Sequence, residues 1–339
     1  MIPRTQRYKA FAQLGELLLS PDFEPELDYL AQRTHHTNTW FTTENVLHSL
    51  RALAREYLDA DKLAAWADTY PEPAQNRKIG VVMAGNVPAV GFHDALSVLI
   101  SGHVLLAKLS QDDRILIPAL LAELVRIEPA FQPYVQFVER LNDADAFIAT
   151  GSDNSARYFE YYFSKKPNII RKNRVSVGVL TGHESQEELL ALGHDVLQYY
   201  GLGCRNIAKL YLPVGYDFST FYEAIEPLRD YCLNHHKYFN NYEYNKSILL
   251  VNGTPHLDNG FLLLTENPSP VSPLAVLYYE TYKSLGDVQQ LLEQNAEKTQ
   301  CVVSTSPELS QALPPGTAQQ PGLFNYADGV DTMAFLSSL

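Results

Sequence analysis

The chain has 339 residues, 46% hydrophobic and 19% charged, with 26 Lys and Arg against 39 Asp and Glu. That composition describes a globular protein of about two domains at roughly 150 residues each, and excludes a disordered or fibrous chain. The net charge of −13, with no Lys/Arg-rich run, speaks against nonspecific nucleic-acid binding. Cys204, Cys232 and Cys301 contain no CxxC pair, so they make neither a disulfide framework nor a zinc pattern, and no metal site is expected. So few cysteines fit a reducing, cytoplasmic setting. The first residues lack the apolar core and cleavage site of a signal peptide. The longest apolar run, 95–109, is interrupted by Ser97, Ser101, Gly102, His103 and Lys108 and is too short to span a membrane.

In chain order, residues 1–75 read as helical. Thr43 is placed to cap a helix whose Val46, Leu47, Leu50, Leu53, Ala54, Tyr57 and Leu58 share one face. Pro71 and Pro73 close that segment. The run 79–84 reads as a strand entering the turn Gly85-Asn86-Val87-Pro88, and 89–100 as a helix with Pro88 in its first turn. Strand 104–107 follows and ends at Lys108. Next come helix 115–125, strands 135–138 and 146–150, the turn Gly151-Ser152-Asp153-Asn154, and helix 156–163. The alternation predicts parallel βαβ units in a doubly wound sheet. Strand 175–181 leads to Ser185 and Glu188, which have capping-box spacing. Their helix carries Leu189, Val196, Leu197 and Tyr200 on one face, with Gly193 for close approach and Gly201 as the stop. Strand 207–212 follows. Beyond it 218–233 and 287–295 read as helices, 247–251, 260–264, 275–279 and 302–304 as strands, and 313–321 as a loop. The expected division is a helical N-terminal segment plus dinucleotide-binding domain over 1–182, a catalytic domain over 183–312, and a C-terminal tail over 313–339.

Four features bear on chemistry. Cys204 stands in Gly201-Leu202-Gly203-Cys204-Arg205-Asn206, between a helix and a strand. Most free cysteines are small buried hydrophobes, and a helix C-terminus has the wrong dipole to favour a thiolate. Activation of Cys204 would have to come from Arg205, a cofactor charge or a base elsewhere. Asn86, in a strand-to-helix turn, can donate its amide to a developing oxyanion, although turn-forming Asn is commoner. Lys108 ends a strand. Gly151-Ser152 precedes a helix whose free N–H groups favour anions. G-x-G-x-x-G and G-x-x-x-x-G-K-[ST] are both missing, so a nucleotide here would use other helix N-termini.

In order and spacing these features resemble the aldehyde dehydrogenase superfamily, and most of all its LuxC-type acyl-CoA reductases, over residues 35–335. Asn86-Val87-Pro88 is similar to the family's Asn-Phe-Pro turn. Trp40-Phe41-Thr42 and the tail around Asp328-Gly329-Val330-Asp331 add to the likeness. The resemblance implies an aldehyde-dehydrogenase-like fold of two doubly wound α/β domains with a helical N-terminal segment. It implies Cys204 as nucleophile and Asn86 as oxyanion donor. It also implies a nicotinamide cofactor held by Lys108, Gln111, Gly151 and Ser152, with Glu266 on the nicotinamide ribose, although Asn267-Pro268-Ser269-Pro270 departs from the family's motif there. Gln111 stands where NAD-preferring members carry Glu; being uncharged it would not repel a 2′-phosphate, which favours NADPH, with Arg114 nearby. Hydrolytic members carry a base glutamate where this chain has Ile170-Arg171-Lys172-Asn173-Arg174-Val175. The missing carboxylate favours thiol exchange over attack by water. The expected activity is reduction of an acyl thioester, acyl-CoA or acyl carrier and fatty acyl by preference, to the aldehyde. An acyltransferase partner and a homodimer are compatible with it. The alternatives are aldehyde oxidation or acyl-phosphate reduction on the same fold, and a catalytically silent partner-binding relative. The aromatic segments 158–163 and 238–244 could line an acyl tunnel or pack a core.

Overall fold

The computed structural model describes residues 2–339. The chain forms two units, one running to Asn173 and taking in Gln320–Leu339, the other Arg174–Gln319.

The first unit begins with four helices, α1 (Arg4–Leu19), α2 (Glu24–Thr37), α3 (Thr43–Tyr57) and α4 (Ala60–Asp68). An alternating series follows: β1 (Lys78–Val82), α5 (Phe92–Ile100), β2 (Val104–Lys108), α6 (Leu116–Ile127), β3 (Val135–Phe137), β4 (Ala146–Thr150), α7 (Asp153–Phe163) and β5 (Asn168–Arg171). The five strands are all parallel, in the order β3-β2-β1-β4-β5. This is the doubly wound order, in which the winding reverses between β1 and β4. One apolar core joins the N-terminal helices to this sheet and includes Phe11, Leu50, Trp66, Phe92, Leu121 and Ile148.

The second unit contains β6 (Val175–Val179), α8 (Gln186–Leu197), β7 (Ile207–Pro213), α9 (Phe218–Ile225), α10 (Arg229–Leu233) and α11 (His236–Val251). It continues through β8 (Leu257–Asp258), β9 (Leu263–Glu266), β10 (Val276–Tyr282), α12 (Leu285–Gln294) and β11 (Thr299–Ser304). Its sheet runs β11-β6-β7-β10-β9-β8 and is parallel except for the β8–β9 pair. The last helix, α13 (Thr332–Ser337), lies in the first unit. Trp66 Nε1 donates to Tyr326 Oη at 2.7 Å, and a His103 ring nitrogen meets the Leu336 carbonyl at 3.0 Å. Arg171 grips both oxygens of Asp94, at 2.8 and 2.7 Å, and donates to Thr332 Oγ1 at 2.7 Å. The tail is thereby fastened to the first unit's own sheet and helices.

Several local expectations change. Thr42, not Thr43, caps α3 by accepting the Asn45 N–H. The helix expected from Ala89 starts at Phe92, because Ala89 adopts a left-handed φ of 57° and the segment before it is a turn. Residues 247–251 are no strand; they are the end of α11, which stops at Val251 just before left-handed Gly253 (φ 62°). Strand β9 begins at Leu263, not Gly260, because the Asn259 side chain accepts the N–H groups of Phe261 and Leu262 and holds them in a turn.

Candidate active site

The first unit presents three of the expected features along the carboxyl edge of adjacent strands. Asn86 follows β1, Lys108 closes β2, and Gly151-Ser152 follows β4. A doubly wound sheet binds ligands at this edge, where the winding reverses. Asn86, Lys108, Gln111 and Ser152 are exposed there.

The Asn86 turn is built by long-range bonds. Asp113, only 2% exposed, accepts the Ala89 N–H at 2.9 Å and the Leu116 N–H at 3.1 Å. Ser49 Oγ donates to the Pro88 carbonyl at 2.6 Å. Burial pushes the Asp113 carboxyl up to about 6, against the downward pull of its backbone N–H partners. Asp113 was not singled out by the sequence; an Asp shortly before a helix is a local sign of a cap, but its bond to Ala89 has no local sign.

At the β4 edge, Ser152 Oγ caps α7 by accepting the Ser155 N–H. A Cβ at Gly151 would lie 2.8 Å from Ser155 Cβ and 2.9 Å from Phe159 Cε2, so the glycine lets α7 pack close. A helix N-terminus after β4 and a cation after β2 suit the phosphates and ribose of a dinucleotide. Asp153 is the acidic residue in the first turn of α7. The residues present therefore fit a nicotinamide nucleotide.

The second unit carries Cys204. The chain leaves α8 through three consecutive left-handed residues, Tyr199 (φ 52°), Tyr200 (φ 60°) and Gly201 (φ 78°). Such conformations are costly for tyrosine and persist where surroundings impose them. Here the Tyr200 ring stacks on Tyr231 at 4.6 Å and on His235 at 4.0 Å. Residues 203–206 then form a turn, closed by the Asn206 N–H on the Gly203 carbonyl at 3.2 Å, with half-buried Cys204 at its second position. Asn206 Oδ1 accepts the Gly203 N–H at 2.8 Å. Asn206 Nδ2 donates to the carbonyls of Asp195, Val196 and Gln198 at 3.1, 3.2 and 2.7 Å.

Ser176 Oγ donates to the Cys204 carbonyl at 3.1 Å and lies 3.0 Å from Cys301 Sγ. Burial pushes the Cys301 thiol up, opposed by Ser176 and by the Arg205 guanidinium, which hydrogen-bonds it. Arg205, the cation adjacent to Cys204 in sequence, thus serves the neighbouring thiol. Cys232 is fully buried, and burial pushes it up to about 12, so it is inert.

Glu266 ends β9 and is exposed. It pairs with Tyr279 of β10, which pairs with Leu210 of β7, three residues past Ile207. At strand spacing and rise its Cα lies roughly 14 Å from that of Ile207. Buried Lys209 donates to the Pro268 carbonyl at 2.8 Å and pairs with Glu280, and so holds the segment after Glu266. Of the aromatic segments, Tyr158, Tyr161 and Tyr162 are exposed on α7, while Tyr238 and Tyr242 are buried and tied to the Phe261 carbonyl and to Asp258. Among the described residues no group of three or more His, Cys, Asp or Glu could hold a metal ion, and no helix is long and apolar enough to cross a membrane.

The model of the acyl-CoA reductase (LuxC) family matches residues 52–212, from α3 through the Cys204 turn and β7. No curated protein matches the chain. Among solved structures, the aldehyde dehydrogenase KauB from Pseudomonas aeruginosa is similar over 94% of this chain and 75% of its own, with TM-score 0.65 and 13% identity. Aldehyde dehydrogenase 21 from Physcomitrella patens aligns over 91% of this chain and 74% of its own, with TM-score 0.66 and 10% identity. An aldehyde dehydrogenase from Mycobacterium tuberculosis, solved with NAD+, aligns over 90% and 74%, with TM-score 0.63 and 13% identity. The fold is that of the aldehyde dehydrogenases. With the acyl-CoA reductase family match on that fold, the chain is an oxidoreductase that forms or handles aldehydes.

Proposed function

We propose that this aldehyde-handling oxidoreductase is a cytoplasmic, NADPH-dependent acyl-thioester reductase, acting on acyl-CoA through an acyl-enzyme on Cys204. The observation that carries the reading is the presentation of Cys204 at the second position of a hydrogen-bonded turn, inside the stretch matched by the acyl-CoA reductase family.

The Cys204 thiolate attacks the thioester carbonyl, forming a C–S bond. The Asn86 amide and the Cys204 N–H stabilise the tetrahedral oxyanion, each donor being worth roughly 3–4 kcal/mol where such donors are removed. The intermediate collapses with release of the carrier thiolate, which takes up a proton, and the acyl group stays on Cys204. When bound, the nicotinamide nucleotide supplies the hydride that brings the acyl carbon to the aldehyde level. The resulting thiohemiacetal on Cys204 breaks its C–S bond, restores the thiolate and frees the aldehyde. Lys108 and the Gly151-Ser152 turn hold the nucleotide, with Glu266 toward its nicotinamide ribose, and Gln111 admits a 2′-phosphate. Arg171 is committed to Asp94 and Thr332 in the segment where hydrolytic relatives keep a base glutamate. That arrangement supports transfer to hydride rather than to water.

The test is NADPH oxidation with an acyl-CoA series, repeated with Cys204→Ala. Aldehyde formation by the native chain and loss of at least about a thousandfold in the variant are expected from removing a nucleophile. Full activity in the variant excludes Cys204 as nucleophile.

A further inference from the structure

We infer that Asn206 is a positioning residue for the Cys204 thiolate: its carboxamide covers the carbonyl end of α8 and holds closed the turn that presents the thiol. The inference rests on the reading of Cys204 as nucleophile, and it addresses that reading's main electrostatic difficulty. The last carbonyls of a helix form a partial negative pole. A thiolate close to such a pole is disfavoured, and its pKa is raised. The Cys204 turn comes shortly after the end of α8.

The Asn206 amide group sits on that pole. Its Nδ2 donates to Asp195 O, Val196 O and Gln198 O at 3.1, 3.2 and 2.7 Å, and the residue is only 3% exposed. The same side chain accepts the Gly203 N–H through Oδ1. The backbone N–H of Asn206 holds the Gly203 carbonyl. That carbonyl belongs to the peptide carrying the Cys204 N–H, so the bond fixes the plane of the proposed oxyanion donor. Asp would keep the acceptor but lose both donors, and would set a carboxylate against three carbonyls.

Other charged groups around the turn in the second unit have partners of their own. The Asp195 carboxylate takes the Gly316 and Ala318 N–H groups at 2.6 and 3.1 Å. Arg205 serves Cys301. Lys209 pairs with Glu280, Arg174 donates to the Thr299 carbonyl, and His194 is exposed on α8. The carboxamide is the side-chain group that meets these carbonyls at the end of α8.

The experiment uses the full chain, native and with N206D or N206A. Iodoacetamide labelling of Cys204 is read by peptide mass spectrometry from about pH 6 to 10, with Cys301 as internal reference and circular dichroism melting as the check on folding. N206D is expected to move the labelling midpoint of Cys204 up by about one pH unit and to slow labelling near neutral pH about tenfold, with Cys301 unchanged. N206A removes the donors without adding charge, and is expected to move the profile the same way by less; it carries the test if N206D does not fold. A folded variant that labels Cys204 with the native profile, or that shifts both thiols alike, overturns the inference. Labelling needs no substrate. Failure of the functional reading would instead appear as a native chain that acyl-CoA does not acylate at Cys204.

Discussion

Replacing Asp113 by Asn tests how the Asn86 turn is held, through a pH dependence whose sign follows from burial. The Asp113 carboxyl titrates at about 6 in the folded chain against an ordinary 3.8. Between those values the folded chain binds the extra proton, so stability falls as pH rises through the window. At about 1.36 kcal/mol per pH unit between the two values, the full effect is about 3 kcal/mol, with roughly half of it between pH 5 and 7.5. Asp195, pushed up to about 6 by burial, acts in the same direction. It is present in both chains and cancels in their comparison. Urea unfolding followed through Trp40 and Trp66 reports on the first unit directly. The native chain should lose about 1.4 kcal/mol more than Asp113→Asn between about pH 5 and 7.5. Parallel pH profiles for the two chains would refute the claim that burial lifts the Asp113 carboxyl above its ordinary range.

Arg171→Met leaves the Asp94 carboxylate buried without its partner, and should cost about 3–5 kcal/mol in the first unit. Arg171→Lys should recover only part of this, because one Arg171 nitrogen straddles the Asp94 carboxylate while a second donates to Thr332, a span a single ammonium does not cover; full recovery of the melting temperature would contradict that geometry. Gln111→Glu should raise the KM for NADPH about tenfold while leaving that for NADH nearly unchanged, through repulsion of the 2′-phosphate. Equal effects on the two cofactors would remove Gln111 from the recognition of that phosphate.

The alternation of strand and helix was legible because apolar runs of strand or helix length are separated by glycines and capping residues. Ser185 and Glu188 form both bonds of a capping box, and Ser152 caps α7. The run 247–251 misled because its four apolar residues, Ile248 to Val251, show no period; the helix is specified from outside the run, by the His235 cap and the stop at Gly253. The turn holding Cys204 was legible as a place but not as a mechanism. Left-handed Tyr199 and Tyr200 break the local steric rule, and the Tyr200 ring is held by stacking on residues some thirty positions away. Asn206 and Asp113 act through backbone groups, which carry no residue-type signature. Arg205 is adjacent to Cys204 in sequence, yet it reaches Cys301, a neighbour created by the pairing of β6 with β11.

The central claim is a covalent acyl group on Cys204, and intact-mass spectrometry tests it most directly. Acyl-CoA added without nucleotide should raise the mass of the native chain by one acyl group, mapped by peptide analysis to Cys204. Adding NADPH should discharge it with release of one aldehyde per chain. An adduct that persists in Cys204→Ala, or a native chain that stays unmodified while making aldehyde, would contradict the account.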